Sequence, residues 1–199
     1  MATNGDGTFL PQQGNYENLM VYKLAGCIYA ITHHFANTYF ERGDRTIDQM
    51  VQAARSGKQN IAEGIADGVT SREMELKLLN VARGSMQEVK ADFEDYLLHH
   101  SLERWHSKDP RTLQVRRFSY HHMKPEEYLE KAKQRSAETV ANIALTLIHR
   151  YDYMMVRLLA TIQRRFVAEG GIKEAMYRAR TQHRDNPNRT DKKEDNNKK

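Results

Sequence analysis

Apolar residues recur at alternating steps of three and four through most of the chain, the period of a helix with one buried face. Val21, Leu24, Ile28, Ile31 and Phe35 set the first stripe. Gly43, inside Arg42-Gly43-Asp44, supplies its stop, and that tripeptide reads as a helix break. A second stripe of Ile47, Met50, Val51, Ala54, Ile61 and Ile65 follows, with Thr46 and Gln49 spaced as a capping box. Gly68 ends it, Thr70 and Glu73 form the next capping box, and Leu78, Ala82, Ser85, Val89, Phe93 and Tyr96 carry a third helix to about His100. The stretch 101–124 is the least regular, although Asp109-Pro110 is a good helix start and predicts a short helix over "PRTLQVRRF". Pro125 opens the fourth long pattern, where Ala141, Ala144, Ile148, Tyr151, Met155, Leu158 and Ile162 form a heptad seam. Glu169-Gly170-Gly171 stops it, and "IKEAMYRARTQ" predicts one shorter helix.

No strand pattern competes. The predicted fold is all-α: an antiparallel, up-down-up-down four-helix bundle with a short inserted helix and a C-terminal helical suffix. Its predicted parts are a disordered segment 1–14, a bundle over 15–171 containing the connection 101–124, a suffix helix 172–183 and a disordered charged tail 184–199.

Composition adds exclusions. No run of 18 apolar residues exists, so no membrane span is expected, and "MATNGDGTFL" has neither a basic leader nor an apolar signal region. The one cysteine, Cys27, sits in an apolar helical context that suits a core residue and a reducing cytoplasm, the compartment expected here.

Charge is uneven. Against a net charge of +5, His99–Lys124 holds six Lys/Arg to two Asp/Glu, and Ile172–Lys199 holds nine to five, so the remainder is slightly acidic. In the connection Arg104, Lys108, Arg111, Arg116, Arg117 and Lys124 are interleaved with Trp105, Phe118 and Tyr120. Arg150, Arg157 and Arg164 step by seven along the fourth helix, off its seam. Cations beside aromatics can hold phosphates and stack bases. The bland alternative is a solvated face whose aromatics pack on the bundle.

Other chemistry is weaker. Asn60 and Glu63, one turn apart, and Gln87 and Glu88 would need a base and a pocket to act as a catalytic set; backbone or cross-helix hydrogen bonding at a tight crossing or a subunit contact accounts for Asn60 and Glu63 more simply. The pairs His33-His34, His99-His100 and His121-His122 are adjacent, so their rings diverge by about 100° on a helix and do not chelate together. A di-iron bundle needs Glu-x-x-His on two helices, and the long helices carry none. No metal or other cofactor is expected.

The stretch "GKQNIAEGIADG" places Gly57, Gly64 and Gly68 inside a helix at roughly 1 kcal/mol each. With Ala53 and Ala54 they make a small-residue face, expected to lie against Gly84 and Val81 so that two helices approach closely. Ala53, Ala54 and Ser56, then Asn60-Ile61-Ala62-Glu63-Gly64, then Ala82, Gly84, Ser85 and Glu88 resemble the motif of the four-helix-bundle proteins of the 23S ribosomal RNA intervening-sequence family. The chain is similar to the family's longer, suffix-bearing branch. Gly57 stands where an aliphatic residue is usual and Lys58 where proline is frequent, which implies a straighter second helix. The resemblance implies a homopentamer, and kinship with the basic accessory variability protein of diversity-generating retroelements, which works with RNA and a reverse transcriptase.

The expectation is therefore a non-enzymatic, oligomeric scaffold that meets RNA, DNA or a nucleoprotein partner through basic surfaces. The alternative is a protein–protein adaptor without nucleic-acid binding, marked by an exposed apolar patch.

Overall fold

Seven α-helices follow a 3-10 turn at Tyr16–Asn18, and no strand occurs among the described residues. The computed structural model describes residues 16–68, 70–170 and 172–184. The segment 1–14, expected to be disordered, lies outside them, as does the expected tail 184–199 apart from Arg184, which is the last residue of α7. The helices are α1 (Met20–Tyr39), α2 (Arg45–Asp67), α3 (Arg72–His99), α4 (Pro110–His121), α5 (Pro125–Ala132), α6 (Ala137–Glu169) and α7 (Ile172–Arg184).

The four longest contact one another in a cycle, α1 meeting α2 and α6 while α3 meets the same two from the other side. Each turns its three-four stripe inward. Leu24, Ile28, Phe35, Ile61, Met86, Phe93, Ile148 and Tyr151 are all fully buried. Each of the purely apolar ones, Tyr151 apart, contributes roughly 1.5–3 kcal/mol on leaving water, and this burial, more than helix propensity, holds the helices. Phe35 organises one end, with its ring edge-on to Phe93 at 4.9 Å and to Tyr96 at 4.7 Å.

Three local expectations are corrected. The fourth long helix does not begin at Pro125. The chain leaves α5 at Ala132, turns through Lys133–Arg135, and starts α6 where the Ser136 hydroxyl accepts the Thr139 N–H at 3.3 Å. Tyr39 donates its hydroxyl to the Arg135 carbonyl at 2.6 Å, so the end of α1 occupies a backbone group that a continuous helix would have used. The caps are also displaced. Asp44, not Thr46, caps α2 by accepting the Thr46 N–H at 2.8 Å, and Ser71, not Thr70, caps α3 through the Met74 N–H at 3.2 Å.

The third correction concerns the glycines. Small does not face small across α2 and α3. A Cβ built on Gly57 would lie 2.8 Å from Met86 Cε and 3.3 Å from the Ala82 carbonyl; one on Gly64 would lie 3.2 Å from Leu78 Cβ. Gly84 has nothing within 4 Å, and Val81 is 45% exposed. The α3 face turned to α2 runs through Ala82 and Met86, so the glycines of α2 make room for a large side chain and for backbone.

Candidate nucleic-acid interface

The basic connection is held in one place by two polar locks. After α3, Ser101 takes a positive φ of 53° and the Leu102 N–H bonds back to the Leu97 carbonyl at 2.9 Å, turning the chain toward α6. There Asn142, only 2% exposed, receives it. Its Oδ1 accepts the Trp105 N–H at 2.8 Å, and its Nδ2 donates to the Glu103 and Glu138 carbonyls, each at 2.8 Å. Three bonds use nearly all that a carboxamide offers, so burial costs it little. Asp109 then caps α4 by accepting the Arg111 N–H at 2.8 Å, with Pro110 in the first turn, as the sequence predicts.

The second lock lies at the other end of α4. Arg150 donates to the Ser119 backbone carbonyl and, at 2.7 Å, to its hydroxyl, and its guanidinium sits 4.3 Å from the Tyr120 ring centroid. Arg111 near the start of α4 approaches Glu138 near the start of α6, at 3.9 Å. The two helices therefore run side by side in the same direction.

These contacts sort the nine candidate cations. Arg111 is committed: it bonds Asp109 at 2.8 Å and Glu103 at 2.9 Å and lies over Trp105 at 4.6 Å. Its pKa is raised above the ordinary arginine value, first by the hydrogen bond to Asp109 and then by that to Glu103. Arg104 pairs with Glu94 at 2.5 Å, a carboxylate that Lys90 also reaches at 3.0 Å. Arg150 is the α4 lock. Six remain without an acidic partner among the described residues: Lys108, Arg116, Arg117, Lys124, Arg157 and Arg164. Of these, Arg157 bonds the Tyr153 hydroxyl at 2.9 Å and Arg164 the Ala160 carbonyl at 3.3 Å, both on their own helix. A step of seven drifts only about 20°, so Arg157 and Arg164 continue, beyond the end of α4, the edge on which Arg150 holds it. From Asn142 to Arg164 that edge is about 33 Å long.

No protein-family model, curated protein or solved structure matches this chain.

The motif residues separate by environment. Ala54, Gly57, Gly64 and Ser85 are buried; Glu63, Gly84 and Glu88 face solvent. Asn60 donates to the Ser56 carbonyl at 2.9 Å and hydroxyl at 3.0 Å, and the Ser85 hydroxyl reaches Ser56 at 3.3 Å across the α2–α3 crossing. Gln87 turns instead to Asp152 at 3.1 Å, which Arg83 also holds at 2.6 Å. Asn60 and Gln87 are thus engaged with different partners, Ser56 and Asp152. The Arg83–Asp152 tie between α3 and α6 carries no signal in the sequence periodicity.

Cys27 is fully buried, and its thiol is pushed up to about 12 by burial first and by Glu127 and Glu126 next. It is a core residue with little thiolate. Among the described residues no group of three or more His, Cys, Asp or Glu is placed to hold a metal ion, and no helix is long and apolar enough to cross a membrane.

Two hollows flank α4. One, of about 260 Å³, lies between α1, α4, α5 and α6, with Ile31, Phe118, Val140 and Ile143 in its wall. The other, of about 400 Å³, opens between the 104–107 stretch, α4 and α6.

Proposed function

We propose that this chain is a non-enzymatic scaffold, a four-helix bundle of α1, α2, α3 and α6, that assembles with copies of itself and binds the phosphate backbone of nucleic acid along the α4–α6 edge. The observation that carries the reading is the selective pairing of the cations. Arg104, Arg111 and Arg150 are engaged in building the edge, while Lys108, Arg116, Arg117, Arg157 and Arg164 have no carboxylate partner among the described residues. A locked edge offers fixed charge to a polyanion, and repetition around an assembly axis strengthens the field it meets. The resemblance to the intervening-sequence proteins supports five copies, and RNA or a reverse transcriptase-containing nucleoprotein as the partner.

The test is fluorescence anisotropy with structured RNA, single-stranded RNA and duplex DNA, alongside a light-scattering mass. Lys108→Gln, Arg117→Gln and Arg157→Gln each weaken binding to every sequence without lowering thermal stability. Loss of binding only in variants that also unfold counts against the reading.

The adaptor reading has an observation of its own. Tyr153 (62% exposed), Val156 (43%) and Val167 (79%) recur at the three-four spacing along α6 with Ala160 and Gln163. If these are covered by copies of the chain, assembly accounts for them. If they stay bare on the assembled particle, a protein partner is favoured.

A further inference from the structure

The hollow between the 104–107 stretch, α4 and α6 has a chemistry distinct from that of the open edge. Arg104, His106, Thr112, Arg116 and His149 line its volume of about 400 Å³. We propose that it binds a phosphate-type oxyanion, free or as the terminal group of a small phosphate monoester.

Charge comes first. Among the described residues Glu94 is the one carboxylate that ion-pairs here, and it is shared between Lys90 at 3.0 Å and Arg104 at 2.5 Å. The half-buried Arg116 has no acidic partner among the described residues and stands beside His149. The histidine reports the resulting field: its pKa lies below the ordinary value, through burial first and then Lys90, Arg104 and Arg116, which together oppose Glu94. Part of His149 remains at solvent, as a group facing an open cleft should.

An orphaned donor is the independent observation. Thr112 is 5% exposed, and its hydroxyl is buried without a hydrogen-bond partner among the described residues. It belongs to the first turn of α4, where the helix presents its positive end. A hydroxyl, a guanidinium and an imidazole around one space match the oxygens of a tetrahedral anion. The walls are preformed, since Asn142 and Arg150 fix the stretch and α4 to α6. The volume falls within the range of small-molecule sites, about 300–1,000 Å³. The proposal does not depend on nucleic-acid binding, because Lys108, Arg117 and Arg157 lie outside this lining.

The experiment is calorimetric titration of the full chain with inorganic phosphate and with glycerol 3-phosphate, glycerol serving as control. One saturable site per chain is expected for at least one of the two anions and none for glycerol. Tighter binding of the ester identifies a small monoester as the ligand, and equal or tighter binding of phosphate identifies the bare anion. Arg116→Gln and Thr112→Val each weaken binding about tenfold, whereas Arg117→Gln leaves it unchanged. In the unmutated protein, saturation raises the His149 pKa read by NMR, a readout that survives if a variant fails to fold. Absence of saturable binding at millimolar anion, or an equal loss from Arg117→Gln, overturns the proposal.

Discussion

The buried carboxamide of Asn142 accepts the backbone N–H of Trp105, 37 positions away, at 2.8 Å, and the same side chain holds the Glu103 carbonyl at 2.8 Å. One residue of α6 thus fixes the path of the basic connection. Asn142→Ala removes three hydrogen bonds and leaves two backbone groups of the connection without partners, which costs about 2–4 kcal/mol. Urea unfolding measures it, and a change of under about 0.5 kcal/mol refutes the lock.

Arg150 on α6 and Arg117 on α4 should differ sharply although both are arginines. Arg150→Ala strips Ser119 of its charged donor and is expected to lower stability by about 1.5–3 kcal/mol. Arg117→Ala, on an exposed turn, stays within about 0.5 kcal/mol. Equal effects in thermal melts contradict the division into building and free cations.

Gly57 and Gly84 should respond to alanine with opposite sign. At Gly84 there is open space, so Gly84→Ala gains up to about 1 kcal/mol of helix propensity. At Gly57 the same gain is outweighed, because the new methyl would press on Met86 and on the rigid Ala82 carbonyl, for a net loss of about 1–2 kcal/mol. Should Gly84→Ala instead lower the light-scattering mass, a second copy of the chain covers that face.

Stability should fall on mild acidification. His34, through burial first and then Lys133, and His149, through burial first and then Lys90, both titrate below the ordinary histidine value in the folded chain. The unfolded chain therefore binds more protons as pH drops below about 6.5, and the folded state loses stability from there down to the depressed values. Asp92 works the other way. Its carboxyl is raised by burial and by Asp95 and Glu88, so its protonation relieves the fold. Urea midpoints at about pH 7.5 and about pH 5.5 should show the drop, reduced in His34→Gln. A wild-type protein more stable at the lower pH rules this account out.

The periodic part of the molecule was legible in its residues. The seam from Ala141 to Ile162 is buried apart from a half-exposed Leu158, and Asp109-Pro110 opens α4 where it should. Local signals misled where two neighbours could play one part: Asp44 and Ser71 outcompeted Thr46 and Thr70 as caps. The turn at Lys133–Arg135 was hidden because all three of its residues favour helix, and only Ser136, with Glu138 following, hinted at a fresh start. The pairing of Arg111 was out of reach for another reason. Asp109 stands two residues away on the same helix start, but Glu103 and Glu138 reach Arg111 only after packing. A count of basic residues therefore overstated the charge left free for a partner.

The most direct measurement is the salt dependence of RNA binding by the intact protein, taken between about 50 and about 200 mM salt. If the free cations of the α4–α6 edge hold the phosphates, log K falls linearly with log salt, with a slope that shrinks by about one for each of Lys108, Arg117 and Arg157 converted to glutamine. A well-formed assembly that binds no nucleic acid at the lower salt, or binds it with no salt dependence, contradicts the account.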